Sequence, residues 1–360
     1  MKILHIIPNL GVGGTEKMLL ELCRNSTKTH SVVSLKFGGP TMEALVQNNI
    51  QVTALGSPDG FLAGTLDLPR LYFGLKKIIR ETSPDIVHTW LTRANTIGRL
   101  AARCFPGKVI SSLRVIESEK KYHLWVERCT QKRADIVTVN CTPLKDFAVR
   151  EIGIPEEKIR VIFNGIEIPP PLPDFAEKRP GQTVILGTMG RLHKQKGLDI
   201  FLRAVKIVAQ EYAHCLFHIA GDGPEHEALK NLAQELGVQD KVIFLGIEKS
   251  PEFFKNIDIF VLASRWEGMP NVILEAMAYK KGIVSTNVGG VTDLLEDQIH
   301  GLLVPPENPE ALARAMLTAI KDIDIRQKME VAAYQRAAEE FSLKKMVETY
   351  DKLYETISES

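Results

Sequence analysis

Short apolar runs alternate with amphipathic stretches of helical period along most of the chain. This alternation is typical of parallel β-strands that are buried on both faces and joined by crossover helices. In the first half the pattern predicts helices at residues 15–24 and 68–82, and strands at residues 2–7, 31–35, 86–89, 109–112 and 136–140.

A proline-rich break separates this half from a second one. Four of the five residues from 169 to 173 are proline, which excludes a helix interior or an inner strand. We therefore predict an N-terminal domain at 1–168, a linker at 169–181 and a C-terminal domain at 182–341. The alternation then resumes, with helices predicted at 199–210, 226–235 and 271–279 and strands at 184–189, 216–220, 242–245, 259–263 and 283–286.

The predicted fold class is α/β, with two doubly wound Rossmann-like domains. Ligands of such domains bind at the carboxyl ends of the strands, so we expect a deep cleft between the domains to hold the ligand. Residues 342–360 contain one more amphipathic helix, over 343–357, which we expect to pack back toward the N-terminal domain.

Composition excludes several classes of protein. The chain has 360 residues and a net charge of +1, so it is long enough for two cores and is not expected to bind nucleic acid. No run of 18 apolar residues exists, and residues 2–7 read as a strand rather than as part of a signal peptide. The five cysteines are scattered without a Cys-x-x-Cys pair, which favours reduced thiols in the cytoplasm over disulfides or zinc.

Residues 264–278 carry the most informative motif. Glu267 and Glu275 have seven residues between them, and Pro270 is placed as the first residue of a helix. Glu267 would lie in the loop before that helix, and Glu275 about one turn inside it. A helix start presents unpaired N–H groups and partial positive charge to a phosphate. Because five helical residues advance about 7.5 Å, the two carboxylates suit the hydroxyls on either side of a diphosphate. Two solvated surface glutamates are the alternative interpretation.

Glycine-rich loops supply candidate phosphate sites. Gly11–Glu16 follows the first strand, but Glu16 stands where a dinucleotide fingerprint needs a third glycine, which disfavours NAD. Residues 190–197 follow the first strand of the second half, and there Arg191 and Lys196 can converge on a diphosphate. Residues 221–225 form a tight turn at a strand end, and Gly246 lies where backbone groups can meet a base. Glycine turns needed only for packing and solvated basic side chains are the alternatives.

Other candidate chemistry is sparse. His88 lies at the end of a strand in the first half, where it is either a functional group facing a cleft or a satisfied core histidine. Asp322 and Asp324 match the Asp-x-Asp pattern of metal-dependent transferases, but they lie between basic residues at a predicted helix end and read as solvated charge. We therefore expect no metal and no other cofactor.

Together these motifs resemble the retaining glycosyltransferases of family 4 (glycosyl transferases group 1), which have the two-domain GT-B architecture. The Glu267–Glu275 motif is the most specific part. Supporting segments are residues 13–16, 164–166, 190–197, 221–225, 287–290 and 301–304. Glu167 replaces the aspartate usual in the family after Asn-Gly-Ile. Residues 88–99 look like those of bacterial cell-surface polysaccharide or lipid-linked sugar transferases.

The resemblance implies roles for the candidate residues. Arg191 and Lys196 bind the donor diphosphate, Glu267 contacts the donor sugar, and Glu275 contacts the ribose. Gly13 and Gly14 close over the phosphates or the sugar, and His88 lies beside the reacting sugar. The donor site also includes Gly246, Gly268, Met269, Pro270 and Asn271.

The predicted function is retaining transfer of a hexose or an N-acetylhexosamine from a nucleotide sugar, which we expect to be a UDP-sugar, to a glycan or lipid-linked glycan. The nucleotide sugar is a substrate, not a cofactor. Two alternatives stay open: a nucleotide-sugar epimerase or hydrolase of the same fold, and a non-catalytic nucleotide-sugar-binding protein.

The basic character of one segment predicts a membrane contact. Residues 76–133 contain 13 Lys or Arg against 5 Asp or Glu, an excess of +8 in a chain of net charge +1. Solvated helix faces are one interpretation. The other is that Arg114, Lys120 and Lys121 face an anionic membrane at the cytoplasmic side, where a lipid-linked acceptor is reached.

Overall fold

A computed structural model describes residues 1–56, 68–115, 121–169 and 182–359. The chain divides into two compact units. Unit 1 comprises Met1–Gly165 and Leu343–Ser360, and unit 2 comprises Ile166–Ser342. The domain boundary predicted at residue 168 therefore lies three residues beyond the observed division, and residues 170–181 of the predicted linker lie outside the described residues. The predicted ligand cleft between the domains stays a prediction.

Unit 1 is a doubly wound α/β unit. Among the described residues its sheet has seven parallel strands in the order β3-β2-β1-β4-β5-β6-β7. The strands are β1 Lys2–Ile7, β2 Thr29–Ser34, β3 Gln51–Ala54, β4 Ile86–Trp90, β5 Lys108–Leu113, β6 Ile136–Val139 and β7 Ile159–Val161. The helices are α1 Gly14–Asn25, α2 Pro40–Gln47, α3 Leu68–Thr82, α4 Leu91–Ala101, α5 Lys121–Thr130, α6 Thr142–Phe147 and, from the end of the chain, α14 Leu343–Glu359.

Helix α14 completes the core of unit 1. Its side chains Tyr350 and Tyr354 are almost fully buried and pack in one cluster with Ile3, Leu19 and Trp90. The helix is amphipathic, so burial of its apolar face stabilises its position on the sheet.

Unit 2 repeats the architecture. Its described sheet has six parallel strands in the order β10-β9-β8-β11-β12-β13. The strands are β8 Val184–Met189, β9 Cys215–Ala220, β10 Val242–Gly246, β11 Ile259–Leu262, β12 Gly282–Thr286 and β13 Leu302–Val304. The helices are α7 Leu198–Glu211, α8 His226–Glu235, α9 Ser250–Lys255, α10 Asn271–Ala278, α11 Val291–Leu294, α12 Pro309–Lys321 and α13 Ile323–Glu340.

The predicted α/β fold class is confirmed, and the missed strands share one property. The strands over 51–54, 159–161 and 302–304 lie at sheet edges, have only three or four residues and are partly exposed. A run of three or four residues is too short to show either a strand-length apolar run or a clear alternation, so periodicity does not reveal these strands. In the described part of the chain, no helix combines the length and the apolarity needed to cross a membrane. None of the five cysteines, all of which lie in the described residues, forms a disulfide.

Candidate functional site

Three loops meet at the carboxyl edge of the unit 2 sheet. They follow β8, β11 and β12, which are adjacent in the sheet. Gly197 ends the first loop with φ +58°, and a Cβ there would lie 2.1 Å from the carbonyl oxygen of Ala263. Gly289 in the third loop has φ +50°, and its Cβ would lie 2.1 Å from the carbonyl oxygen of Glu267. Both positions therefore require glycine, because the backbone of one loop packs directly against the backbone of another.

The centre of this edge is an ion pair between two loops. Lys196 Nζ lies 2.6 Å from Glu267 Oε1, and Ser264 Oγ donates a hydrogen bond of 2.6 Å to the same oxygen. Glu267 is only 6% exposed, while the Lys196 side chain keeps 19% of its surface. A lysine ammonium has three donors, and the bond to Glu267 uses one of them. The remaining N–H groups of Lys196 can bind an anion.

Arg265 fixes the conformation of the same loops. Its guanidinium donates to both carboxylate oxygens of Asp199 at 2.9 and 2.8 Å, and it also pairs with Glu307. Partial burial raises the pKa of Asp199, but the hydrogen bonds and charge of Arg265 outweigh this and hold the pKa below its usual value. The NH1 group of Arg265 also donates a hydrogen bond of 2.7 Å to the carbonyl oxygen of Lys194. A bidentate pair of this kind is geometrically specific, so it holds the Lys196 loop in place.

Sequence reasoning assigned no role to Ser264 or Arg265, although both stand in the 264–278 segment just before Glu267. The partners of Arg265 explain why its role is hidden. Asp199 and the carbonyl oxygen of Lys194 are 66 and 71 residues away from it in the chain, so only the meeting of the loops reveals these contacts. Ser264 lies only three residues from its partner Glu267, so a short polar residue at that spacing was the signal available for it.

Helix α10 begins as the motif predicts, within one residue. Pro270 occupies the N-cap position and Asn271 is the first helical residue. Glu275 is therefore the fifth residue of the helix, one turn inside, and is 5% exposed. Burial, followed by the charge of Glu275, raises the pKa of Tyr279. The loop before the helix is held by the backbone N–H of Gly290, which donates to the carbonyl oxygen of Gly268 at 2.7 Å, and Met269 is buried.

The remaining predicted donor residues of unit 2 lie on the same edge. Gly190 N–H donates to the carbonyl oxygen of Ala220, and Gly221 N–H donates to that of Gly246, at 3.0 and 2.6 Å. The ends of β8, β9 and β10 are thus joined by backbone hydrogen bonds. Arg191 is exposed, and no other described residue forms a hydrogen bond or ion pair with its side chain. A free guanidinium beside the Lys196 loop suits an anionic ligand.

The Asp-x-Asp pattern has a local structural role. Asp322 is the N-cap of α13, and its side chain accepts a hydrogen bond of 3.0 Å from the backbone N–H of Ile325. Asp324 lies in the first turn of the same helix, where its negative charge interacts favourably with the helix dipole. Neither aspartate lies on the strand-end edge that carries Lys196.

In unit 1, Gly13 and Gly14 stand at the start of α1. Gly13 is the N-cap and Gly14 the first helical residue, directly after β1. Glu16 in the same turn is 8% exposed, and burial raises the pKa of its carboxyl group. This loop therefore lies at the carboxyl edge of the unit 1 sheet, as the sequence predicts.

His88 occupies the core of unit 1, which contradicts the expectation that its ring faces a ligand. It has no exposed surface. Its Nδ1 lies 2.8 Å from the Tyr354 hydroxyl and its Nε2 lies 2.8 Å from Ser112 Oγ. Burial, and then the charges of Arg114 and His30, keep its pKa well below the usual value. Both ring nitrogens are occupied, so His88 is placed as a neutral structural histidine.

The predicted membrane-facing position of Arg114 is also wrong. Arg114 is 4% exposed, because its guanidinium stacks on Trp90 and donates to Asn164 and Tyr350. Lys120 lies outside the described residues, as does the side chain of Lys121, the first residue of α5. On α5, Tyr122 and Trp125 are exposed at 61% and 65%.

Two doubly wound units, with glycine turns and paired charges at the strand ends of one of them, define a two-domain α/β class of protein whose ligands usually bind at the strand ends. Comparison with known proteins narrows this class. Residues 12–168 match the model for Glycosyltransferase Family 4, and residues 173–336 match that for Glycosyl transferases group 1. The chain belongs to the family 4 glycosyltransferases, the glycosyl transferases group 1, and has the GT-B fold.

Two curated relatives and one solved structure illustrate the similarity. The GalNAc-alpha-(1->4)-GalNAc-alpha-(1->3)-diNAcBac-PP-undecaprenol alpha-1,4-N-acetyl-D-galactosaminyltransferase of Campylobacter jejuni is 27% identical over 367 residues, covering 98% of each chain. The UDP-Gal:alpha-D-GlcNAc-diphosphoundecaprenol alpha-1,3-galactosyltransferase of Escherichia coli is 27% identical over 303 residues, covering 78% of this chain and 77% of that protein. Anabaena HepE in complex with UDP and glucose superposes with a TM-score of 0.86 at 22% identity, covering 99% of this chain and all of HepE.

Proposed function

We propose that the protein transfers a hexose or an N-acetylhexosamine from a UDP-sugar to a lipid-linked glycan, with retention of anomeric configuration. The observation that carries this proposal is the Lys196–Glu267 pair at the strand-end edge of unit 2, directly before α10. Two relatives named for transfer to undecaprenol-linked acceptors support the acceptor class. The complex of HepE with UDP and glucose supports the donor class.

Charge stabilisation is the main catalytic requirement. The nucleoside diphosphate leaves with developing negative charge, and preformed positive groups at that position lower the barrier. Lys196 supplies a fixed ammonium, Arg191 an exposed guanidinium, and the start of α10 the partial positive charge of its helix dipole. These groups are in place before the reaction, because Arg265 and Glu267 already hold the loops.

The two glutamates have different roles in this proposal. Glu267 accepts hydrogen bonds from the hydroxyls of the donor sugar and orients Lys196, while Glu275 accepts from the ribose. Glu267→Gln should lower turnover more than it lowers the affinity for bare UDP, whereas Glu275→Gln should mainly weaken the binding of bare UDP. Titration of UDP into both variants measures this. An equal loss of UDP affinity in the two variants would contradict the division of roles.

Retention and metal independence are parts of the same proposal. Departure of the diphosphate and attack by the acceptor on one face of the sugar give retention without a covalent intermediate. Lys196 and Arg191 supply the countercharge that a metal supplies in Asp-x-Asp enzymes, so activity should persist in EDTA. Complete loss of activity in EDTA that manganese or magnesium restores would refute metal independence.

Transfer assays separate this function from its alternatives. The protein is incubated with UDP-glucose, UDP-galactose or their N-acetyl analogues, with and without a short-chain prenyl-diphosphate-linked sugar. The proposal predicts UDP release and an elongated product only when acceptor is present. Conversion of the UDP-sugar without acceptor indicates the epimerase or hydrolase. UDP binding without any turnover indicates a non-catalytic binding protein.

A peripheral contact with an anionic membrane on the cytoplasmic side completes the proposal. Its support is the basic excess over residues 76–133, which stays positive without the buried Arg99 and Arg114, together with the exposed aromatic side chains of Tyr122 and Trp125 on α5. Each basic residue near an anionic surface contributes about 1 kcal/mol, and salt screens it. Binding to phosphatidylglycerol vesicles should weaken with salt and be largely lost in a Lys120→Glu, Lys121→Glu double variant. Binding that is absent at low salt would leave a soluble acceptor.

A further inference from the structure

Polar side chains follow neighbouring strands at the carboxyl edge of the unit 1 sheet. Trp90 ends β4, Arg114 follows β5, Asn140 follows β6, and Asn164 follows β7. These four strands are consecutive in the sheet. In doubly wound folds the carboxyl edge is where ligands bind.

The guanidinium of Arg114 is buried among neutral groups. It stacks on Trp90 with 4.6 Å between Cζ and the ring centroid, and it donates to Asn164 Oδ1 at 2.9 Å and to the Tyr350 hydroxyl at 2.5 Å. Over the described ranges of the chain, no carboxylate pairs with it. Arg99, buried in the same unit, pairs with Glu127. A buried charge without a counterion is costly, so Arg114 needs an explanation that Arg99 does not.

Two hydrogen-bonding atoms at this edge are unsatisfied. Arg114 Nε and Asn140 Oδ1 are buried and, within the described residues, have no hydrogen-bond partner. Asn140 Nδ2 donates to the Arg114 carbonyl oxygen at 3.4 Å, which places the two residues side by side. Most buried polar atoms of native proteins have partners, so an unpaired donor next to an unpaired acceptor suggests a ligand with both kinds of group.

The backbone at the same edge is strained. Leu91, the first residue of α4 and directly after β4, has φ +69°, which a branched non-glycine residue rarely adopts. Such strain persists where the surrounding structure enforces it and is frequent at ligand sites. It adds an observation that does not depend on the side chain of Arg114.

We infer that Arg114 binds a phosphoryl oxygen of a sugar diphosphate and that Asn140 accepts a hydrogen bond from a hydroxyl of the same ligand. The inference rests on the proposed function, because both substrates of that reaction contain a sugar diphosphate. The lipid-linked acceptor is one source of the phosphate, and the UDP-sugar is the other. A guanidinium suits this task because its charge is permanent and its donors are rigidly placed.

Steady-state kinetics distinguish the two sources. Arg114→Gln keeps a donor for Asn164 but removes the charge. It should raise KM at least tenfold for a prenyl-diphosphate-linked acceptor, but less than twofold for an alkyl glycoside of the same sugar. A rise in the KM of the UDP-sugar instead assigns the phosphate to the donor. Arg114→Lys should recover part of the lost affinity. Arg24→Gln, at an exposed position in the last turn of α1, removes the same charge and should leave both KM values unchanged.

A binding measurement tests the site even if the transferase assay fails. Inorganic pyrophosphate is titrated into Lys196→Ala and into the Lys196→Ala, Arg114→Gln double variant, after thermal unfolding has shown that both are folded. We expect at least tenfold weaker binding in the double variant. Equal pyrophosphate affinity in the two proteins, or unchanged KM values in an active Arg114→Gln variant, would overturn the inference. If Arg114 had only a structural role, its replacement would lower the melting temperature without changing the pyrophosphate affinity or either KM value.

Discussion

The two units share one architecture but differ in where their titratable side chains lie and whether these are charged. In unit 2, charged side chains are paired across loops at the strand ends, as in Lys196–Glu267 and Arg265–Asp199. In unit 1, the imidazoles of His5, His30 and His88 lie in the core, where their lowered pKa values keep them neutral. Paired charges at the edge of a sheet are suited to a charged ligand, whereas neutral buried polar groups fix the packing of the elements around them. The difference supports the proposal that unit 2 binds the donor.

The hydrogen bonds that join Trp90, His5 and His30 in the core of unit 1 all run in one direction. The indole Nε1–H of Trp90 donates to His5 Nδ1 at 3.0 Å, and an indole can only donate. His5 therefore carries its proton on Nε2, which donates to His30 Nδ1 at 2.8 Å. A proton added to either imidazole would break this chain of bonds inside the core.

The strongest test of the comparison removes the central cation of unit 2. Lys196→Ala should lower kcat by about 10²–10³-fold, because one preformed group that stabilises the leaving diphosphate is lost. Lys194→Ala is the matched control, since Lys194 is exposed and only its backbone carbonyl contacts Arg265. Its kcat should stay within about twofold of the wild type. Turnover of Lys196→Ala close to that of Lys194→Ala would show that the donor phosphates bind elsewhere.

Acid should destabilise unit 1 more than unit 2. Burial lowers the pKa of His30 to about 4, and it holds the pKa of His5 and His88 well below the usual value. The unfolded chain then binds more protons below pH 6.5, so unit 1 loses stability as the pH falls. His30 alone should contribute a loss of about 2 kcal/mol between pH 7 and 5. In unit 2, burial raises the pKa of Glu330 to about 7, so its contribution to stability increases over the same interval.

Amide hydrogen exchange at pH 7 and 5 measures the protection, and hence the stability, of each unit separately. Protection should fall in β1 and β4 of unit 1 and be maintained in β8 and β11 of unit 2. His30→Gln should reduce the acid sensitivity of unit 1, whereas His214→Gln, at an exposed position of unit 2, should not. Equal acid sensitivity of the two units would remove the basis of the comparison.

A glycine substitution tests the close approach of the loops in unit 2. Gly289→Ala places a Cβ 2.1 Å from the carbonyl oxygen of Glu267 and should lower the free energy of unfolding by about 2 kcal/mol or more. Gly237→Ala is the control, because Gly237 also has a positive φ, of +72°, but its Cβ would enter open space. It should cost about 1 kcal/mol from backbone strain alone. Urea denaturation measures both, and equal losses would show that the loops can separate without cost.

The sequence predicts the interior of this fold better than its margins. Continuous apolar runs such as 2–7 and 184–189 coincide with strands β1 and β8, because strands buried on both faces leave an unmistakable pattern. The motif also places Glu275 correctly, since Pro270 fixes where α10 begins. These are local effects, and local sequence is sufficient for them.

Tertiary contacts over long separations are what the sequence does not predict. Tyr354 and Tyr350 lie 266 and 236 residues after the side chains they contact, His88 and Arg114. A strand-end pattern cannot show that helix α14 covers those positions. The interpretation of His88 as a ligand-facing group and of Arg114 as a membrane contact failed for this physical reason.

Binding of UDP followed by hydrogen exchange tests the central assignment most directly. If unit 2 holds the donor, saturating UDP should increase protection in residues 190–197, 264–275 and 287–290, and this protection should be lost in Lys196→Ala. Protection confined to unit 1, or protection in unit 2 that Lys196→Ala leaves unchanged, would contradict the account.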